Sequence, residues 1–221
     1  MNIEDNLKSV LSDLPQGVRL VAVSKFHSNE DIERAYQAGQ RIFGESRERE
    51  LCLKHEALPK DILWHFIGHL QTNKVKQIVP YVDMIEAVDS LKLLVEINKQ
   101  ALRAGRVIPC LLEIHIAQEE EKYGFTFESC RELLTGGGWK VLRNVSIAGV
   151  MGMATYTEDQ DQIRREFASL RAFFDEMKST VFAKSSSFRE VSMGMSHDYR
   201  IAVEEGSTLV RVGSKIFGER I

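Results

Sequence analysis

A lysine closes the apolar run Val21-Ala22-Val23-Ser24-Lys25, and an arginine sits inside a second one, Leu209-Val210-Arg211-Val212-Gly213-Ser214. Strand side chains alternate, so Val21, Val23 and Lys25 share a face, and Leu209, Arg211 and Gly213 share another. If the two strands are neighbours, an amine and a guanidinium lie side by side. Each cation then depresses the proton affinity of the other. An amine that is partly neutral near pH 7 can add to an aldehyde. The competing reading is a lysine whose head only reaches water from a strand end. Gly213 permits close backbone approach, and Ser214 adds a hydroxyl to the open N–H groups of a helix start, as a phosphate site requires. In Ser192-Met193-Gly194-Met195-Ser196, the residues Ser192, Gly194 and Ser196 share one parity and set two hydroxyls beside one place. Ser196 also fits a plain helix N-cap with Tyr199 three positions on. Met193 and Met195 read as packing residues. A lysine for an aldehyde, Arg211 beside it and a cup of Ser192, Ser196, Gly213 and Ser214 suit pyridoxal 5′-phosphate (PLP). A sugar-phosphate isomerase or a Schiff-base aldolase would use similar parts.

Those residues need a frame that brings the first and last strands together. Apolar runs bounded by Gly, Pro and polar turns recur along the chain and alternate with helical spacings. Strands are expected to end near Lys25, Glu45-Ser46, His69, Asp89, His115, Met151 to Met153, Ser192 to Ser196 and Arg211 to Ser214, with the seventh running from Glu190 to Met195. One helix is expected over 47–55 with Leu51 and Leu53 as its apolar contacts. Another is expected from Ser90 to Ala104 with Leu91, Leu94, Val95, Ile97 and Leu102 buried, and the longest over 158–178 around Phe167, Leu170, Phe173 and Phe174. Eight strands in strict alternation with helices predict a parallel sheet. No GxGxxG turn follows the first strand, which disfavours a dinucleotide fold. The expectation is one closed α/β barrel, (β/α)8, over 1–221, with its site at the C-terminal ends of the strands.

Bulk properties narrow the partners. The 221 residues carry a formal charge of -3, so no basic field attracts nucleic acid or an anionic membrane. No apolar run is long enough to span a bilayer. Cys52, Cys110 and Cys130 are odd in number and widely spaced, which indicates neither a disulfide framework nor a zinc site. The polar start Met1-Asn2-Ile3-Glu4-Asp5 is not a signal peptide, and a cytoplasmic location is expected.

Longer motifs add specificity. Val21 to Lys25, Phe43-Gly44-Glu45-Ser46, Trp64 to Lys74, Lys122-Tyr123-Gly124-Phe125, Ser192 to Asp198 and Gly206 to Gly218 together resemble the pyridoxal phosphate homeostasis protein family, in order and over nearly the whole chain. The resemblance implies a PLP-binding barrel of the alanine racemase N-terminal-domain kind (fold type III). It implies that Lys25 is the Schiff-base lysine and that Ser192, Ser196, Gly213 and Ser214 lie around the phosphate. It further implies that Arg211 matches the arginine that faces the pyridine nitrogen in the related racemases. Ser46 stands where the family usually has Asn, so a contact that needs an amide is not expected there.

Two functions compete. A PLP-dependent racemase or decarboxylase needs a second acid/base on the opposite face of its substrate. In the racemases that base comes from a separate C-terminal β domain, which this chain is expected to lack. His69, His115, Tyr123 and Tyr156 are the possible substitutes, although packing explains each of them. An arginine at the pyridine nitrogen also weakens the ring as an electron sink. The expected function is a PLP carrier in vitamin B6 and amino-acid homeostasis, without robust catalysis; weak racemase activity is the alternative, and a bare scaffold is the third reading. PLP-dependent apoenzymes are possible recipients, and a monomer is expected. If Lys25 is not the bonding lysine, Lys74, Lys122 and Lys215 are next.

Overall fold

The computed structural model describes residues 2–119 and 123–219. Eight strands, β1 (Arg19–Val23), β2 (Ile42–Glu45), β3 (Leu63–Phe66), β4 (Met84–Val88), β5 (Ile108–His115), β6 (Val145–Met153), β7 (Glu190–Ser192) and β8 (Leu209–Val212), close into a parallel barrel in sequence order. The helices are α1 (Ile3–Ser12), α2 (Asn29–Gln37), α3 (Glu48–Ala57), α4 (Val75–Ile78), α5 (Leu91–Arg103), α6 (Phe127–Gly136), α7 (Gln160–Ser179), α8 (Tyr199–Glu204) and α9 (Ser214–Phe217). Side-chain oxygens of Ser28, Ser90, Thr126 and Asp159 accept backbone N–H groups at the starts of α2, α5, α6 and α7. These caps stop each connecting loop at a defined residue.

Outward-facing strand residues such as Phe43, Trp64, Ile85, Leu112 and Val150 pack against the helix ring and form the large core. Inward, Val21, Met84, Leu111, Ala148, Met151 and Leu209 fill much of the barrel interior with apolar side chains. Two glycines set local geometry. A Cβ on Gly149 would overlap the Glu190 carbonyl, so β6 can meet β7 only with glycine there. Gly194 has φ +96°, and a Cβ on it would lie 2.5 Å from Ala202 Cβ.

Three expectations about the elements change. In α5 the buried set is Leu93, Leu94, Ile97 and Ala101, while Leu91, Val95 and Leu102 are exposed. The helix carries two apolar stripes and the barrel covers one of them. In α3 Leu51 is buried as expected, but Leu53 is exposed and Lys54 takes the inward position. The seventh strand ends at Ser192 instead of Met195, because Gly194 turns the chain out of the ladder.

Candidate functional site

The ladder between β1 and β8 pairs Val21 with Arg211 and Ala22 with Val212. The first and last strands are therefore neighbours, as closure requires. They do not set Lys25 level with Arg211. Lys25 stands four residues beyond Val21, so the arginine lies deeper in the barrel and the lysine nearer the opening. Parity identifies the shared face but carries no information on register, hence the difference.

Both side chains border one cavity of about 300 Å³ at the C-terminal ends of the strands. Its wall also includes Ile67, Met153, Tyr156 and Met195, with Ser196, Gly213 and Ser214 on one side. The Gly213 N–H donates to Ser196 Oγ at 3.2 Å. That bond ties the loop after β7 to the loop after β8. Ser196 therefore does not cap α8; Asp198 holds this turn, its Oδ1 accepting the Met195 N–H at 2.5 Å. Asn6 of α1 donates to the Ile216 carbonyl at 3.1 Å and holds α9 from below. Ser46 does not line the cavity; its backbone packs against Gly68, where a Cβ would come within 2.6 Å of the Ser46 carbonyl oxygen.

Ser192 is placed differently from the sequence expectation. It is fully buried below the cavity, outside the group formed by Ser196, Gly213 and Ser214. Its hydroxyl donates to Glu86 Oε2 at 2.5 Å and accepts from Arg211 Nη1 at 2.6 Å. The short strand β7 explains this: the chain leaves the barrel wall at Gly194, so Ser192 and Ser196 sit at different depths.

Arg211, 4% exposed, is fixed on two sides. Besides Ser192, it donates from Nη2 to the Gly152 carbonyl at 3.0 Å, and Glu86 Oε2 lies 3.9 Å from Nη1. His65 Nδ1 lies 2.6 Å from Glu86 Oε1. Burial alone would raise the Glu86 pKa, but the hydrogen bond and charge of His65, the charge of Arg211 and the Ser192 bond hold it below the ordinary range. A carboxylate there can only accept, which puts a proton on His65 Nδ1. Burial lowers the pKa of Arg211, opposed by the charges of Glu86, Asp198 and Glu113. The expected pair of mutually repelling cations is thus corrected: carboxylates balance the arginine from beneath.

Glu113 is the second inward carboxyl. Its Oε2 is buried with no hydrogen-bond partner among the described residues. Burial, with the charge of Asp89, pushes its pKa up to about 7, against the pull of Arg211 and His115. Nearer the rim, His69 Nδ1 lies 2.9 Å from Asp89 Oδ2, and its ring stacks on Tyr123 at 3.8 Å. His115 Nε2 lies 2.8 Å from the Ala117 carbonyl. Lys122 lies outside the described residues.

His65, Glu86 and Glu113 were not singled out by sequence reasoning. The signal was present: each is a polar residue inside an apolar run, at the parity that faces the barrel interior. The raised pKa of Glu113 has a measurable consequence. Its protonated form is favoured by folding, so its contribution is full below the ordinary pKa of 4.5 and is lost as pH rises through about 7. Glu113→Gln should therefore gain about 1–3 kcal/mol over wild type at pH 8 and less at pH 5, measured by urea unfolding. An equal gain at both pH values would contradict the assignment.

The family model described as the alanine racemase N-terminal domain matches residues 1–221. The chain belongs to that family. A pyridoxal phosphate homeostasis protein of Aquifex aeolicus is 38% identical over 91% of this chain and 87% of its own. One of Homo sapiens is 37% identical over 91% of this chain and 76% of its own. Two structures of PipY from Synechococcus elongatus, without PLP and with PLP bound, match with TM-scores of 0.91 and 0.86 at 36% identity, over 98% of this chain and 100% of theirs. An alanine racemase of Clostridium difficile shares the fold at a TM-score of 0.76 and 16% identity, and this chain spans 56% of its length. The family's barrel is the one expected from the alternation of strands and helices. Among the described residues no helix is long and apolar enough to cross a membrane.

Proposed function

We propose that this chain binds PLP reversibly and holds it for delivery, as a homeostasis protein and not as a robust catalyst. The observation that carries the reading is Lys25, half-buried on a cavity that also meets Ser196, Gly213, Ser214 and Arg211. The residues fit the cofactor. Lys25 would hold its aldehyde, Ser196, Gly213 and Ser214 its phosphate, and Arg211 its ring. Gly213 suits such a cup because its Cα packs against β1, where a Cβ would meet the Val23 carbonyl at 3.1 Å. When bound, PLP supplies an aldehyde that amines can capture and a ring that withdraws electrons.

Three features favour holding over catalysis. Arg211 keeps its protons and can only donate hydrogen bonds, so it cannot accept one from a protonated ring nitrogen; it would hold that nitrogen unprotonated and leave the ring a weak electron sink. The residues that could supply an opposite acid/base are engaged elsewhere: His69 with Asp89 and Tyr123, His115 with the Ala117 carbonyl. Tyr156 stands on the exposed rim against the edge of His197. The PLP-bound PipY and the homeostasis proteins named above support the same reading. Ser192 belongs to the site as the residue that positions Arg211, without touching ligand. We further propose that the protein acts as a monomer in the cytoplasm, one barrel over 1–221, and that PLP-dependent apoenzymes receive the cofactor.

Titration with PLP tests this. The protein should develop a yellow band that borohydride fixes onto the peptide containing Lys25. Incubation of the loaded protein with L-alanine should give no more D-isomer than free PLP does. Rapid, protein-dependent formation of D-alanine would establish a racemase instead.

A further inference from the structure

The chain around Lys25 is held from behind by a polar cluster that the cavity does not contain. Lys54, on α3, is 5% exposed and makes three bonds from one ammonium. It donates to the Ser24 carbonyl at 2.7 Å, to Glu45 Oε1 at 2.8 Å and to Glu50 Oε1 at 2.6 Å. Ser24 Oγ donates to the same Glu45 oxygen at 2.6 Å. Glu50 Oε1 in turn accepts the Phe26 N–H at 2.6 Å. The peptide carbonyl before Lys25 and the peptide N–H after it are therefore both bound to α3, through two residues one helical turn apart.

The backbone here needs holding. Phe26 has φ +70°, the left-handed region, and is the one non-glycine residue with positive φ among the described residues. That conformation costs roughly 1–2 kcal/mol for a residue with a Cβ. Its ring is half-exposed beneath the Arg47 guanidinium at 4.6 Å, so apolar burial does not fix it. The His27 N–H closes a turn onto the Ser24 carbonyl at 3.1 Å, and the bond from the Phe26 N–H to Glu50 and the bridge to Lys54 fasten that turn to α3. Parity supports the division of labour: Ser24 points outward to the cluster, and Lys25 points inward to the cavity.

We infer that Lys54 and Glu50 are positioning residues that fix the direction of the Lys25 amine by clamping both peptide groups beside it. The inference rests on the PLP reading above and deepens it. Capture of an aldehyde forms one C–N bond, converts C=O to C=N and releases one water. The rate depends on how often the neutral amine faces the carbonyl carbon, and a fixed backbone raises that fraction. The phosphate cup is built from the loops after β7 and β8 and does not share these bonds. Binding of the phosphate and capture of the aldehyde are thus separable.

The experiment follows growth of the yellow band by stopped flow. It also measures, by calorimetry, affinity for 4′-deoxypyridoxine 5′-phosphate, which has the phosphate and ring but no aldehyde. Glu50 is partly exposed, so Glu50→Ala should fold. It should slow band formation by about tenfold while analogue affinity stays within about twofold. Glu50→Gln keeps an acceptor for Phe26 and should restore the rate. Lys54→Met strands the buried Glu45, so it is paired with Glu45→Gln, and this double variant should match Glu50→Ala. Wild-type rates in Glu50→Ala and in the double variant would overturn the inference. So would a loss of analogue affinity in proportion to the rate, which is the mark of general distortion. A wild-type protein that binds the analogue yet never forms the band would overturn the cofactor reading itself, and the inference with it.

Discussion

Lys25→Ala should leave a folded, colourless protein. The lysine is half-buried at the edge of the cavity, and the strand that carries it is anchored by Val21, Ala22 and Ser24, all fully buried. The side chain is only half-buried, so stability should change by no more than about 1 kcal/mol. Binding of PLP should change in kind. Ser196, Gly213, Ser214 and Arg211 remain, so a noncovalent complex persists at lower affinity. Borohydride should fix nothing to the protein. Absorbance titration and mass spectrometry after reduction read both effects in one sample. A trapped adduct of undiminished yield would move the role to another lysine, with Lys74 and Lys215 the remaining candidates among the described residues.

Glu86→Ala should produce the largest loss of stability of any single change at the site. Glu86 is fully buried, and His65, Ser192 and Arg211 converge on its two oxygens. Its removal leaves a buried guanidinium without its nearest balancing charge, a change that typically costs about 3–5 kcal/mol. For a chain of this size the midpoint of thermal unfolding should fall by roughly 6–20 °C. The pH dependence should change as well. Glu86 has a lowered pKa in the fold, so its contribution is present above the ordinary value of 4.5 and is lost as pH falls through the folded value. Wild type should therefore lose stability on acidification in a way that Glu86→Ala does not. This slope runs opposite to that of Glu113, and the two variants together separate the carboxyls. A Glu86→Ala protein within about 1 kcal/mol of wild type at pH 7 would show that the Arg211 charge is balanced elsewhere.

The barrel was legible because its signals are local. Apolar runs, glycine and proline breaks and capping residues mark eight strands and their helices, and strict alternation leaves few topologies. That the first and last strands are neighbours followed from closure. What the sequence lacks is depth. Parity gives the face on which Arg211 lies but not its level, and Ser192 and Ser196 share a parity while sitting in different layers. The same gap misassigned Leu53 and the outer stripe of α5, where apolar residues outnumber the positions the barrel can cover. Lys54 was hidden for the opposite reason. A lysine on a charged helix reads as solvated, and only the carboxylates of Glu45 and Glu50, one of them on another element, make its burial tolerable.

The apolar filling of the barrel interior has a consequence for traffic. Val21, Met84, Leu111, Ala148, Met151 and Leu209 pack the barrel interior as a core and not as a pore, and the cavity lies at the C-terminal ends of the strands. A ligand held at Lys25 would then enter and leave at that end of the barrel. On the proposed carrier function, an acceptor would approach the same face as the incoming cofactor, so loading and unloading would take turns there. Tyr156 and His197, whose rings meet edge-on, border that opening.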